Sequence, residues 1–285
     1  MTAPSPHICT SSNTSEDNWA LILGASSGFG AATSIALAKA GFHIVGVHMD
    51  LRSTRHLADN IESQVKSHNR QAWFYNSNAA DETKRDAILS DVASRWLSTN
   101  PNAQQQPKFR VFVHSLAFGS LLPFIRIPPS QPEDRTSLLQ LEMTCRVMAH
   151  SFVSWTQAIV ERQLMGFGGR VFAMTSAGAR TVWKGYGAVS AAKAAIEAYV
   201  RQLAVELAPI GITVNALCPG VTETQALLKV PDHQHMMSIA LHKHPQHRLT
   251  QPEDVAAAII ALSAPETYWI TGNVINVEGG ESISG

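Results

Sequence analysis

Cysteine is scarce in this 285-residue chain: Cys9, Cys145 and Cys218 are odd in number, widely spaced and form no C-x-x-C pair. That set excludes a disulfide framework and points to a reducing, cytoplasmic setting. Net charge is missing too. Lys+Arg 22 balance Asp+Glu 22, so the chain lacks the basic footprint that a nucleic-acid backbone demands. No run reaches the ~18 apolar residues of a membrane span. Residues 1–17, rich in Ser, Thr, Pro and Asn, have no apolar h-region; they read as a disordered lead-in, not a signal peptide. A histidine cluster (His233, His235, His242, His244, His247) lies in a polar stretch that reads as a solvated loop, so no metal is expected.

What is present is an ordinary soluble core. Hydrophobic residues make up 45% and charged ones 15%, enough for one large domain over 18–285 without staples. Short apolar runs at Trp19–Gly24, Phe42–His48, 71–76, Arg110–Ser115, Arg170–Thr175, Ile212–Leu217 and Asn273–Val277 alternate with helical patterns. The helices are expected at Ala31–Ala40, 53–69, 81–98, within 135–164, at Gly187–Ala208 and at 252–263, with 99–107 a polar loop. Strands alternating with helices of this length specify βαβ units, hence a doubly wound Rossmann domain with a seven-stranded parallel sheet.

The first strand runs into Gly24-Ala25-Ser26-Ser27-Gly28-Phe29-Gly30. Small residues there let backbone N–H groups approach a pyrophosphate at a helix N-terminus. At the end of the second strand, Asp50 would suit the ribose hydroxyls of NADH, whereas Arg52 and Arg55 would suit the 2′-phosphate of NADPH, towards which the balance tilts.

Four ordered motifs carry a family resemblance over about residues 19–281: Gly24–Gly30, Tyr186-x6-Lys193, Val214-Asn215-Ala216 with Pro219-Gly220, and Thr271-Gly272 with Val277-Glu278-Gly279-Gly280. The chain resembles the short-chain dehydrogenases/reductases. In the common pattern a tyrosine stands four residues before the lysine, where this chain has Val189. Tyr-x6-Lys, together with Val113-His114-Ser115-Leu116-Ala117-Phe118, is similar to the divergent branch of bacterial enoyl-acyl-carrier-protein reductases. Seven residues of helix cover about 700°, so Tyr186 and Lys193 share a face two turns apart. A donor set further from the nicotinamide suits an enolate oxygen three bonds from the carbon that accepts hydride.

The resemblance implies NADPH or NADH as cofactor. It implies that Lys193 holds the nicotinamide ribose and that Tyr186 donates to the substrate oxygen, with Ser176 in the place of the family's catalytic serine. It also implies that Ser26, Ser27 and Phe29 of the glycine loop, Asn78 and Ala79, and Ser115, Leu116 and Ala117 line the dinucleotide. Pro219, Gly220, Val221, Thr222 and Thr224 would meet the nicotinamide amide. A segment over 221–248 would cover the substrate, with Leu227, Leu228, Met236, Met237, Ile239 and Leu241 as an apolar lining facing Phe118, Leu121, Leu122 and Phe124. Cys218 reads as a packed strand-end residue. Enoyl-thioester reduction in fatty-acid metabolism, on acyl-carrier protein or coenzyme A, leads; a carbonyl or alcohol oxidoreductase and a cofactor-sensing protein without turnover are the alternatives. Lys229, Lys243 and Arg248 are candidates to meet an acidic carrier. A homotetramer with helix 187–208 at an interface is implied.

Overall fold

Alternation of side chains along each strand explains the layering. On β1 (Asn18–Leu23), Trp19, Leu21 and Leu23 face one core cluster, while Ala20 and Ile22 face the other. A strand apolar on both faces needs helices on both sides. The computed structural model, which describes residues 18–99, 108–127 and 134–284, supplies them. The lead-in at 1–17 and nearly all of the polar stretch 99–107 lie outside the described residues.

The remaining strands are β2 (His43–His48), β3 (Ala72–Asn76), β4 (Lys108–His114), β5 (Arg170–Met174), β6 (Thr213–Pro219) and β7 (Val274–Val277). They form one sheet in the order β3-β2-β1-β4-β5-β6-β7, parallel throughout. Helices α1 (Gly28–Lys39), α2 (Arg55–Ser67) and α8 (Pro252–Ser263) cover one face. The other is covered by α3 (Glu82–Thr99), α5 (Ser151–Glu161) and α6 (Gly187–Leu207). Phe109, Phe112, Phe152, Phe172 and Trp155 are fully buried between the layers; each such side chain contributes about 1.5–3 kcal/mol relative to exposure. The chain winds outward from β1 to β3, then returns to begin again at β4. The crevice outside the carboxyl ends of β1 and β4 is therefore the topological switch point, where ligands of such sheets bind.

Two expectations are corrected. The long helix within 135–164 is interrupted: α4 (Leu138–Cys145) passes into a π-turn at Arg146–His150 before α5 begins. Ser137 and Gln140 close a capping box that fixes where α4 starts. The histidine-rich stretch, expected as a solvated loop, is instead largely helix α7 (His233–Lys243), and His244 at its end is buried. Its ring packs on Gly279, where a Cβ would come within 2.4 Å of the imidazole.

Candidate active site

The glycine loop is shaped by steric necessity. Gly24 has φ +84, and a Cβ there would lie 2.3 Å from the Ser115 carbonyl oxygen; at Gly30 it would lie 2.1 Å from the Gly24 carbonyl. Both glycines thus let backbone pass against backbone at the β1–β4 crevice. Ser27 occupies the N-cap of α1, but its side chain makes no capping hydrogen bond. The first-turn amides of α1 are therefore open to an anion. Ser26 is half-buried, Ser27 exposed, and Phe29, in the first turn of α1, packs on the core. Ser115 and Leu116 rest against Gly24, and the Thr224 methyl comes near Gly28; Ala117 is exposed. The cradle fits a dinucleotide pyrophosphate.

At the end of β2 the carboxylate of Asp50 is already held. His48 Nδ1 donates to one oxygen at 2.7 Å and Thr54 Oγ1 to the other at 2.9 Å. Asn76 brackets the Asp50 backbone, accepting from its N–H and donating to its carbonyl. Arg52 and Arg55 are exposed, with no ion pair to any described residue. Asn78 Oδ1 accepts from the Ala80 N–H, and the carbonyl of buried Ala79 accepts from the Trp155 indole at 2.7 Å. Those two residues thus shape the β3–α3 turn as well as lying where the resemblance puts the adenine.

On the other side of the crevice, Tyr186 stands at the N-cap of α6 with its ring over Gly178. Burial raises its pKa, while the nearby Ser176 hydroxyl pulls in the opposite direction. Ser176 Oγ is buried without a closed hydrogen bond. The Tyr186 phenol is its neighbour in the site. Lys193 is buried and donates to the Met174 carbonyl at 2.6 Å, leaving two of its three ammonium donors. Burial lowers its pKa to about 8, because among the described residues no carboxylate forms an ion pair with it. Glu197, one turn on, is engaged by Thr175 at 3.0 Å and by Arg180 at 3.0 Å. Val189, at the usual tyrosine position, is sealed in the core, with a methyl 2.9 Å from where a Gly119 Cβ would sit. Cys218 is buried and its thiol is pushed up to about 11 by burial, which makes it a packing residue.

Beyond β6, Pro219 and Thr222 are buried, and Thr222 Oγ1 donates to the Gly220 carbonyl. Within the segment 221–248, Leu228, Ile239 and Leu241 are exposed among polar neighbours, and Leu227, Met236 and Met237 are half-buried. Opposite it, Phe118 and Phe124 are exposed and Leu121 and Leu122 half-buried. The Phe124 ring packs on Gly187, directly after Tyr186. Lys229 and Lys243 are exposed, but Arg248 makes two hydrogen bonds to Asp254, at 2.6 and 3.0 Å. That pairing is at the surface, with the Arg248 side chain still exposed.

Two partnerships escaped the sequence, the first at a residue that its motifs had already named. His114 is buried with Nε2 against Ser151 Oγ at 2.8 Å. Ser151 gives its proton to the Val147 carbonyl at 2.6 Å, so the imidazole is the donor and its Nδ1 is left unpartnered. Burial and neighbouring Lys193 push its pKa down to about 3, keeping it neutral. The second feature is Glu281, whose Oε2 accepts from the Val221 N–H at 2.9 Å. A histidine ending an apolar strand was a visible signal for the first; nothing linked Glu281 to a partner sixty residues away.

Comparison with known proteins agrees with this geometry. Residues 24–282 match the family described as Enoyl-(Acyl carrier protein) reductase. The chain is 28% identical over 262 residues to the 3-oxoacyl-[acyl-carrier-protein] reductase of Synechocystis sp., covering 92% of this chain and 95% of that protein. It is 28% identical over 265 residues to the 1-cyclohexenylcarbonyl-CoA reductase of Streptomyces collinus, covering 92% and 86%. Among solved structures it is similar to FabI from Candidatus Liberibacter asiaticus, with TM-score 0.78, 20% identity and coverage of 94% and 96%.

Proposed function

Because the chain belongs to the short-chain dehydrogenase/reductase family, in its enoyl-(acyl carrier protein) reductase-like branch, we propose that it reduces the C=C bond of an α,β-unsaturated acyl thioester with a nicotinamide cofactor, NADPH favoured over NADH. The observation that carries this is the position of the phenol. Tyr186 stands at the start of α6 beside the free Ser176 hydroxyl, while Val189 is buried where a ketone reductase would keep its tyrosine.

The bound cofactor supplies the hydride. The open first turn of α1 and the Gly24–Gly30 cradle hold the pyrophosphate. Arg52, exposed and without an ion pair among the described residues, meets a 2′-phosphate, whereas each oxygen of the Asp50 carboxylate already accepts one hydrogen bond, from His48 and from Thr54. Lys193 holds the nicotinamide ribose through its remaining donors and places positive charge near Tyr186. Tyr186 donates a hydrogen bond to the thioester oxygen as it becomes an enolate, and its raised pKa keeps the phenol protonated for that task. The apolar walls at 118–124 and 227–241 exclude water and accept an acyl chain. Exposed Lys229 and Lys243 suit an acidic carrier. Val205 and Ile210 lie exposed at the end of α6 and support assembly into a homotetramer through that helix.

Ketone reduction is the second reading, favoured by the free Ser176 hydroxyl and by the similarity to a 3-oxoacyl reductase. The test is to follow cofactor absorbance with NADPH and with NADH, offering crotonyl-coenzyme A beside simple ketones. Oxidation with the enoyl thioester alone supports conjugate reduction; turnover of ketones alone replaces it with the second reading.

The pH dependence has a definite sign. Lys193 acts as a cation, and its pKa in the free protein is about 8. Since kcat/KM reports the free enzyme, it is expected to decline as pH rises through about 8, where the ammonium loses its proton. A profile that stays level to about pH 10, near the value for an ordinary lysine, removes the charge of Lys193 from the scheme.

A further inference from the structure

The chain's own C-terminal turn reaches into the nicotinamide side of the site. After β7, Gly279 (φ +57) and Gly280 (φ +91) turn the backbone back over the end of β6. The turn is fixed by Ser282, whose N–H and hydroxyl both donate to the Glu278 carboxylate, and by Gly279 and Gly280 packing on His244 and Pro245. Glu281 is thereby aimed at the loop after β6, its Oε2 2.9 Å from the Val221 nitrogen and close over Gly220. A Cβ on Gly220 would lie 2.4 Å from Thr250 Oγ1 and 2.6 Å from that same oxygen, so the bare glycine gives the carboxylate room to approach.

We propose that Glu281 is a displaceable internal ligand: its carboxylate oxygen occupies the Val221 N–H that would otherwise receive the carboxamide oxygen of the nicotinamide. The inference rests on the reading above that the Pro219–Val221 loop faces that amide. One N–H cannot serve two acceptors at full strength, so cofactor binding has to release Glu281. The carboxylate is half-buried and makes no ion pair with any described residue, which leaves it poorly compensated and movable. The titratable groups facing it are Glu278 on its own turn and His244 and Lys243 at the end of α7. Burial and Glu278 raise its pKa; the Val221 N–H, His244 and Lys243 oppose them. The ionised form holds the amide, so lowering the pH opens the latch.

The experiment measures NADPH and NADH dissociation constants for the full chain, Glu281→Ala and the isosteric Glu281→Gln, across acidic to neutral pH. Removing a hydrogen bond to a charged competitor is expected to tighten cofactor binding about tenfold in Glu281→Ala, with Glu281→Gln between the two. The advantage of both variants should shrink as the pH falls and the wild-type carboxylate takes up its proton, a change that a merely structural role would not produce. Equal or weaker binding by folded Glu281→Gln overturns the latch while leaving the cofactor reading intact. Absence of binding by all three proteins overturns the cofactor reading, and the latch with it.

Discussion

Tyr186→Phe is expected to lower kcat/KM for enoyl-thioester reduction by about 10²–10⁴, the range carried by a positioned proton donor. Cofactor affinity should stay within about threefold, well under the ~1.4 kcal/mol of a tenfold change. The ring can keep its place, because its contacts with Gly178 and the core do not involve the hydroxyl. Only the hydroxyl is lost, the group proposed to meet the developing enolate. Nothing nearby substitutes for it: Val189 is sealed in the core, and Ser176, although free, is a far weaker acid than a phenol. Steady-state kinetics beside a cofactor titration checks the split. A variant that keeps half or more of its turnover with cofactor binding intact would falsify the assignment of Tyr186.

Gly24→Ala should strike the cofactor and the fold together. Its Cβ would meet the Ser115 carbonyl at 2.3 Å, from a backbone already at φ +84. Strain and overpacking of that kind cost about 1–3 kcal/mol, or roughly 2–5 °C in Tm for a chain near this size. Because relief requires β1 and β4 to part at the crevice, NADPH affinity should fall by about tenfold or more, ~1.4 kcal/mol or beyond. Gly41→Ala is the matched control. Gly41 has φ +97, yet nothing lies within 4 Å of its added Cβ. It therefore bears the backbone cost alone and should leave cofactor binding unchanged. Equal losses of affinity in the two variants would mean that the damage is global and not local to the cradle.

Much of the architecture was legible because each strand is apolar in its own right and each helix has a stop. Gly41 ends α1, Pro252 opens α8, and the strand expected at Arg170–Thr175 lies at Arg170–Met174. The interruption between α4 and α5 was not legible, since one π-turn shifts the helical phase by less than a composition pattern resolves. Helix α7 was missed for another reason. Its histidines carry no strong apolar stripe, and its N-cap Asp232 adopts a left-handed conformation (φ +55) with no capping bond. In the site, motifs located the backbone and the charged pair but not who holds whom. Asp50 looked available for a ribose until His48 and Thr54 were found on its two oxygens. Arg248 looked free until Asp254 was found beside it. Those partnerships depend on rotamers and register, which sequence spacing does not encode.

The aromatic cluster at the opposite end of the sheet divides the molecule optically. Trp19, on β1, lies 4.3 Å from the Trp73 ring and 5.6 Å from Trp96, itself against Phe109. Four residues of β1 separate this cluster from the glycine cradle, roughly 15 Å of strand. Trp183, by contrast, stands near the covering segment, its indole donating to the Pro231 carbonyl and its ring facing His235. The deep cluster therefore reports the integrity of the β-layer, and Trp183 reports its own contact with the 231–235 stretch. Because Trp155 and Trp269 emit as well, a variant that keeps Trp183 alone would read that contact apart from unfolding of the β-layer.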